Sequence, residues 1–296
     1  MTRDERKKIT PVDFVKAKRR GHRLVMVTAY DYYQARIADE AGVDGILVGD
    51  SLGMVVMGFS STIPVTMGMI AHHLRAVLNA RPRCLVVADM PFMSYEISRE
   101  EAVRNAGKLI KRGADAVKVE GLEEVVDKVE AMVRSGIPVM GHVGLNPQRS
   151  LVTGLRIRGK KAEEAVEIIE ASKALEEAGA FSIVIEYTAS EIAEEITKRL
   201  SIPTICIGSG PHCDGQILVF HDLVGLNPSP PPFAKQYLRA YQLMLDALAL
   251  YVKEVREGLF PGREMYWSMD PEELEKLKKA LKERRSGDNT SLSSPP

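Results

Sequence analysis

Neither sign of charge is in excess in this chain of 296 residues. The 40 Lys plus Arg face 40 Asp plus Glu, so no global field favours nucleic acid or an anionic membrane, and a small-molecule partner is expected. Cysteine is scarce. The three thiols, Cys84, Cys206 and Cys213, are odd in number and lack the close pairing of a zinc or redox motif, so free thiols in a reducing compartment are expected. No run of about 18 apolar residues occurs, and the charged residues 1–8 lead into no apolar signal segment, so a soluble, cytoplasmic protein is expected. Gln and Asn are sparse beside Glu, Lys and Arg, a bias of heat-adapted proteins. A GxGxxG turn after the first strand is also missing, which argues against a doubly wound dinucleotide-binding sheet.

What is present is a series of short apolar runs that end in polar residues. Residues 45–51 read Gly, Ile, Leu, Val, Gly, Asp, Ser; the run has no polar face, as expected of a strand buried on both sides of a parallel sheet, and it stops at Asp50 and Ser51. The pattern returns at 84–89, ending in Asp89, and at 116–120, which offers Lys118 and Glu120. Residues 41–48 (AGVDGILV), 112–119 (RGADAVKV) and 178–185 (AGAFSIVI) repeat one joint, a glycine C-cap just ahead of a buried strand. Further strands are expected at 24–28, 137–141 leading to His142, 181–185 leading to Glu186, 202–207 and 217–220. Helices are expected between them: from a Thr10, Pro11, Asp13 start to Arg20 across the barrel floor, 32–41, from Thr66 onward, 98–112 behind a Ser98–Glu101 capping box, 122–135, 162–177 and 190–200.

About eight strands alternating with helices define a (β/α)8 TIM barrel with its active site at the C-terminal strand ends. The barrel, with an N-terminal helix and a C-terminal helical extension, is expected as one catalytic domain over residues 1–285, followed by a disordered tail at 286–296. A long helix at 233–257 is apolar on two faces and is expected to meet another subunit in part, and a final charged helix starts after Asp270. Two loops on the active rim, 52–64 and 143–160, are too long for minimal connections and suit lids.

If their strands are neighbours, Asp50, Asp89 and Glu120 converge, and three carboxylates within a few ångströms repel unless protons or a cation neutralise them. A hard divalent cation, Mg2+, fits an all-oxygen set. Each acid has a plainer reading, as a solvated strand end or a helix cap. Lys118 alternates with Val117 and Val119 and so shares the inward facing of Glu120, as a ligand-binding cation or as one half of an internal ion pair. Ser51 suits a bond to a substrate carboxylate or a helix cap. Glu186, behind three apolar residues, suits a general base with a raised pKa or a salt bridge to a rim Arg or Lys. His142 is a possible accessory group or a satisfied structural histidine, while His72 and His73 read as surface or packing residues.

The strings GDSLGMVVMG (49–58), VADMPFMSY (87–95), VKVEG (117–121), GHVGLNPQ (141–148) and IGSGPHCDGQILVFHDLVGL (207–226) closely resemble the 3-methyl-2-oxobutanoate (ketopantoate) hydroxymethyltransferase family, over roughly residues 5–265. The chain departs from the pattern at Ser209 and His212 and in its extension past Asp270. The resemblance implies a TIM-barrel transferase of pantothenate and coenzyme A biosynthesis, commonly a homo-oligomeric decamer. It would carry a hydroxymethyl group from 5,10-methylenetetrahydrofolate, or from a modified pterin, to 3-methyl-2-oxobutanoate (α-ketoisovalerate), forming 2-dehydropantoate through a Mg2+-stabilised enolate. The family's metal ligands fall on Asp50, Asp89 and Glu120, its substrate contacts on Asp50, Ser51, Asp89 and Lys118, and its proton acceptor on Glu186. A metal-dependent carbon–carbon lyase or mutase would share the acids and the enolate, but no cysteine is expected beside Glu120 or His142 to serve as its acid. A non-catalytic binding barrel would leave the strand-end charges unexplained.

Overall fold

In chain order the elements of the computed structural model, which describes residues 7–288, are α1 (Pro11–Arg19), β1 (Leu24–Thr28), α2 (Tyr32–Ala41), β2 (Gly45–Val48), α3 (Leu52–Val55), α4 (Met67–Asn79), β3 (Leu85–Asp89), α5 (Arg99–Lys111), β4 (Ala116–Glu120), α6 (Val126–Arg134), β5 (Val139–Gly144), α7 (Ser150–Thr153), α8 (Ala162–Glu177), β6 (Ser182–Glu186), α9 (Ser190–Arg199), β7 (Thr204–Ile207), β8 (Gly215–Leu218), α10 (Phe220–Leu223), α11 (Ala240–Glu257) and α12 (Pro271–Asp288). The eight strands pair in parallel and in sequence order, and β1 joins β8 to close the barrel. The chain divides into two compact units, Met1–Ala240, which holds the barrel, and Tyr241–Pro296. Among the described residues no helix is long and apolar enough to cross a membrane.

Local chemistry accounts for most of the element ends. Thr10 and Asp13 form a reciprocal capping box on α1 with Pro11 in the first turn. Asp31, Thr66 and Ser98 cap α2, α4 and α5 by accepting from Gln34, Met69 and Glu101 N–H, and Gly42 ends α2 in the left-handed conformation.

Alternation along the strands sorts side chains into two packed layers. Ile46, Val48, Val86, Ala88, Val117 and Val119 face the helices. Leu47, Leu85, Val87, Ala116, Met140 and Val184 fill the barrel interior. Phe14 of α1 closes the floor, edge-on to Phe181 at 6.1 Å between ring centroids. It is fully buried, so Phe14→Ala would leave a void costing about 3–5 kcal/mol. Inward residues toward the floor are mostly apolar, with Ser182 satisfied by the Pro203 carbonyl, and the next inward residues toward the opposite end are Asp89, Lys118, Glu120, His142 and Glu186. Position along the strand therefore decides whether an inward side chain packs in the core or brings a polar group to the mouth.

Several expectations are corrected. β5 runs three residues beyond Gly141, because its ladder with β6 continues to the Gly144–Glu186 pair, so His142 lies inside the strand. α3 occupies the start of the first expected loop. The segment 233–239 is not helical: Tyr237 and Ala240 N–H bond to Leu223 and Val224 carbonyls, so α11 begins only at Ala240. The last strand ends at Leu218, after which Phe220 N–H takes the Thr28 hydroxyl and opens α10. Cys206 and Cys213 are not free thiols. They form a disulfide, since the turn from β7 to β8 brings their Cα atoms to 5.7 Å, and Cys84 alone is a free, buried cysteine. α12 continues to Asp288, past the expected start of the tail, and residues 289–296 lie outside the described part.

Candidate active site

β2, β3 and β4 are adjacent, and their ends deliver three acids to one place. Carboxylate oxygens of Asp50, Asp89 and Glu120, all buried, lie within 4.8 Å of one another. Asp50 N–H donates to Asp89 Oδ2 at 3.1 Å, which pins the turn after β2 to the end of β3. Lys118 Nζ sits 3.0 Å from Asp89 Oδ1 and 3.6 Å from Glu120 Oε1. Burial alone would lower the lysine, but Asp89, Glu120 and Asp50 hold it above its ordinary range, so it stays charged. One ammonium does not balance the acids. Burial and the charges of Asp89 and Glu120 push Asp50 well up, and burial pushes Glu120 up to about 8 against the pull of Lys118.

That residual charge, the all-oxygen donor set and the lack of an aligned hydrogen bond at buried Asp89 Oδ1 all suit a hard divalent cation. Two residues outside the expected site hold the cluster in place. Gln148 Nε2 donates to Asp50 Oδ2 at 2.9 Å and to the Met90 carbonyl at 3.0 Å, and its backbone N–H reaches Glu120 Oε2 at 3.4 Å. The Tyr95 hydroxyl lies 2.8 Å from both Gln148 Oε1 and the Glu120 carbonyl. Gln148 and Tyr95 close the GHVGLNPQ and VADMPFMSY strings, so the sequence carried their position and not their contacts.

His142 stands between Lys118 and Glu186. Its Nδ1 is 3.2 Å from Lys118 Nζ and its Nε2 3.4 Å from Glu186 Oε2. An ammonium only donates, so Nδ1 accepts and the ring proton belongs on Nε2, facing the glutamate. Burial and the Lys118 charge keep the imidazole neutral by pushing its pKa well down. Glu186 is about one-fifth exposed toward the cavity; burial pushes its pKa up to about 8, with Lys118 opposing and Asp50 and Asp89 adding. Its partner is His142 and not a rim Arg or Lys. The backbone accommodates this approach at Gly144 (φ +95°), where a Cβ would meet the Glu186 carbonyl at 2.3 Å, and at Tyr187, which takes a φ of 47° immediately after the glutamate.

Ser51 occupies the N-cap position of α3 without capping it, and its hydroxyl pairs with the buried Tyr30 hydroxyl at 2.8 Å. His73 Nδ1 bonds the Tyr30 carbonyl at 2.7 Å, a packing role. Asp50, Ser51, Asp89, Lys118, Glu120, His142 and Glu186 line one cavity of about 430 Å³ at the barrel mouth, while Gln148, Tyr95, Tyr30 and His73 are not on its wall. Met54 and Val55 of α3 wall it, as do Leu145 and Leu155 from the second long loop. A third wall, Pro230 to Phe233, comes from the proline-rich stretch ahead of α11 and from the residue expected to start the long helix. Gly208 (φ +65°) leaves the room the Phe233 ring fills, since a Cβ there would sit 2.7 Å from it. Ser209, where the chain departs from the family pattern, is buried, donates to the Ile185 carbonyl at 2.9 Å and accepts from Thr188 N–H at 3.0 Å.

The family whose sequence model matches, over residues 8–263, is described as ketopantoate hydroxymethyltransferase. The 3-methyl-2-oxobutanoate hydroxymethyltransferase of Hyperthermus butylicus is 58% identical over 285 residues, 96% of this chain and 99% of the relative. That of Staphylothermus marinus is 59% identical over 271 residues, 91% of this chain and all of the relative. Among solved structures, a phosphoenolpyruvate phosphomutase from Streptomyces platensis subsp. rosaceus superposes with a TM-score of 0.61 at 14% identity, covering 96% of this chain and 100% of that one. A 2,3-dimethylmalate lyase of the PEP mutase/isocitrate lyase superfamily gives 0.56 at 19% identity, covering 96% and 100%. These two share the fold.

Proposed function

The chain belongs to the ketopantoate hydroxymethyltransferase family, and from that membership we propose that it transfers a hydroxymethyl group from 5,10-methylenetetrahydrofolate, or a modified pterin carrier, to 3-methyl-2-oxobutanoate, forming 2-dehydropantoate. The observation that carries this reading is the placement of a partly desolvated base, Glu186 with His142, on the wall of the cavity that also holds the carboxylates of Asp50, Asp89 and Glu120. The reaction needs both: a proton must leave C3 of the keto acid, and the charge that develops on the keto oxygen must be stabilised.

Asp50, Asp89 and Glu120 would hold Mg2+. Bound there, it supplies positive charge toward the oxygen that becomes negative as C3 is deprotonated. Lys118 and the Ser51 hydroxyl hold the substrate carboxylate. Glu186 takes the C3 proton, and its raised pKa makes it a stronger base than an exposed carboxylate. His142, neutral and with Nε2 3.4 Å from Glu186 Oε2 without an aligned hydrogen bond, packs beside the base and does not protonate it. The C3 electron pair then bonds the carrier's one-carbon unit, and water supplies the hydroxyl oxygen as the carrier departs. Met54, Leu155 and Phe233 keep bulk water from the carbanionic stage. A cytoplasmic homo-oligomer, a decamer by the family pattern, agrees with the exposed Tyr241, Leu245, Leu248 and Val252 of α11.

Deuterium exchange at C3 of 3-methyl-2-oxobutanoate, followed by NMR with Mg2+ present, tests the base directly. Glu186→Gln is expected to slow exchange by at least about 100-fold. Exchange that proceeds at the unaltered rate in that variant would remove Glu186 from the reaction.

A further inference from the structure

Five carboxylates line the cavity, and one of them, Asp222, has no part in the reaction above. It lies on α10, just beyond β8, and is only 4% exposed. Asn227 Nδ2 donates to its Oδ1 at 2.7 Å, while Oδ2 has no hydrogen-bond or ion-pair partner among the described residues. Because Asp222 lines the cavity and its Oδ2 is not fully buried, that acceptor is open to a donor on a ligand held there.

The surroundings restrict that ligand. Val219, Pro231 and Phe233, which line the same cavity, add with Met54 and Leu155 an apolar wall suited to a flat ring. A phosphate or a second carboxylate would be repelled. A heteroaromatic edge with adjacent N–H donors is instead accepted by the free carboxylate oxygen in a three-centre bond. The cavity, at about 430 Å³, also exceeds what a keto acid of eight non-hydrogen atoms fills, so space remains for a second molecule.

We propose that Asp222 is the recognition group for the one-carbon carrier, its free oxygen accepting from the 2-amino and ring N–H donors of a pterin. The proposal rests on the pterin-donor reading of the function. Tetrahydrofolate and modified pterins share that edge, so Asp222 binds the ring and leaves discrimination between carriers to contacts with their tails.

Asp222→Asn is the informative variant, because its side-chain oxygen still accepts from Asn227 while an NH2 group replaces the free acceptor. Equilibrium binding of tetrahydrofolate and of tetrahydromethanopterin to the full chain is compared by calorimetry; which of the two the unaltered protein binds identifies the carrier. The dissociation constant of that carrier is expected to rise about 10- to 100-fold in Asp222→Asn, the scale of a lost charge-assisted hydrogen bond. A 2-desamino analogue should lose a comparable factor on the unaltered protein and little further on the variant, a coupling that mere pinning of residues 227–233 would not produce. Equal binding of the analogue and its parent by the unaltered protein would overturn the proposal even if the variant failed to fold. Should the variant bind the carrier as tightly as the parent protein, Asp222 has no such role and the pterin donor stands; binding of neither pterin by the unaltered protein would sink both.

Discussion

At the scale of single residues, the barrel mouth is a problem of charge confinement. Asp50, Asp89 and Glu120 are held together by donors that are themselves fixed, Asp50 N–H on Asp89 and Gln148 on Asp50. Gln148 has no freedom of its own, since its second amide proton goes to the Met90 carbonyl and its oxygen faces Tyr95. Outer groups of this kind set how well ligands are aimed. Gln148→Leu should therefore weaken binding of Mg2+, or of Mn2+ used as a paramagnetic probe, by about 10- to 100-fold while the fold persists. Unchanged Mn2+ affinity, read by electron paramagnetic resonance, would mean that the Asp50 carboxylate does not depend on this bond. The Lys118–His142–Glu186 line follows the same logic, because a permanent cation on one side of the imidazole assigns its proton to the other.

Among the elements, the loop ahead of α8 is tied down by one side chain together with a backbone pairing. Glu164, in the first turn of α8, pairs with Arg156 at 2.9 Å and with Arg158, and it accepts from Gly159 N–H at 2.9 Å. Burial raises its pKa, but Arg156, the Gly159 N–H and Arg158 outweigh this and hold it below the ordinary value. This contribution to stability is present above the unfolded glutamate pKa and is lost as pH falls through the lowered folded value. Arg158 also bonds by its backbone to Tyr187 and Ala189, beside the candidate base, and Leu155 of the same loop lines the cavity. Glu164→Gln should speed backbone amide exchange across residues 154–160 and raise the keto-acid KM a few-fold with kcat less affected. Protection equal to that of the parent loop, measured by mass spectrometry, would show that the backbone pairing to 187–189 suffices alone.

For the whole molecule, the carboxylate cluster couples stability to pH and to metal. Glu120 and Glu186 are pushed up to about 8, whereas in the unfolded chain they ionise in the ordinary glutamate range. Between pH 6.5 and 8 the unfolded chain has already lost these protons and the folded protein gives them up, so the metal-free protein should lose stability as pH rises. His142 and His221, both pushed down, are neutral in both states over most of that window and do not offset the trend. Mg2+ held by the three acids, as proposed, would compete with those protons. It should thus raise the melting temperature more at pH 8 than at pH 6.5, as a ligand that binds only the folded state does. Calorimetry with Mg2+ and with a chelator at both pH values checks this, and an equal shift at the two would place the cation elsewhere.

The amino-acid order alone determined what short-range physics governs. The limits of β1, β4 and α8 and the caps Thr10, Asp31, Thr66 and Ser98 follow from apolar periodicity and from donors within four residues of one another. Alternation along the strands also made Lys118 and Glu120 face one way, and the family-like strings pointed to Asp50, Asp89 and Glu186. What the tertiary structure decided depends on residues far apart in the chain. Gln148 reaches Asp50 across 98 positions; the β7–β8 turn brings Cys206 to Cys213; the ladder to β6 lengthens β5 past His142. The segment 233–239, apolar enough to be read as helix, is drawn instead to the carbonyls of α10, where Phe233 meets the cavity. A local pattern states which groups a segment must satisfy, and only closure of the barrel supplies the partners that satisfy them.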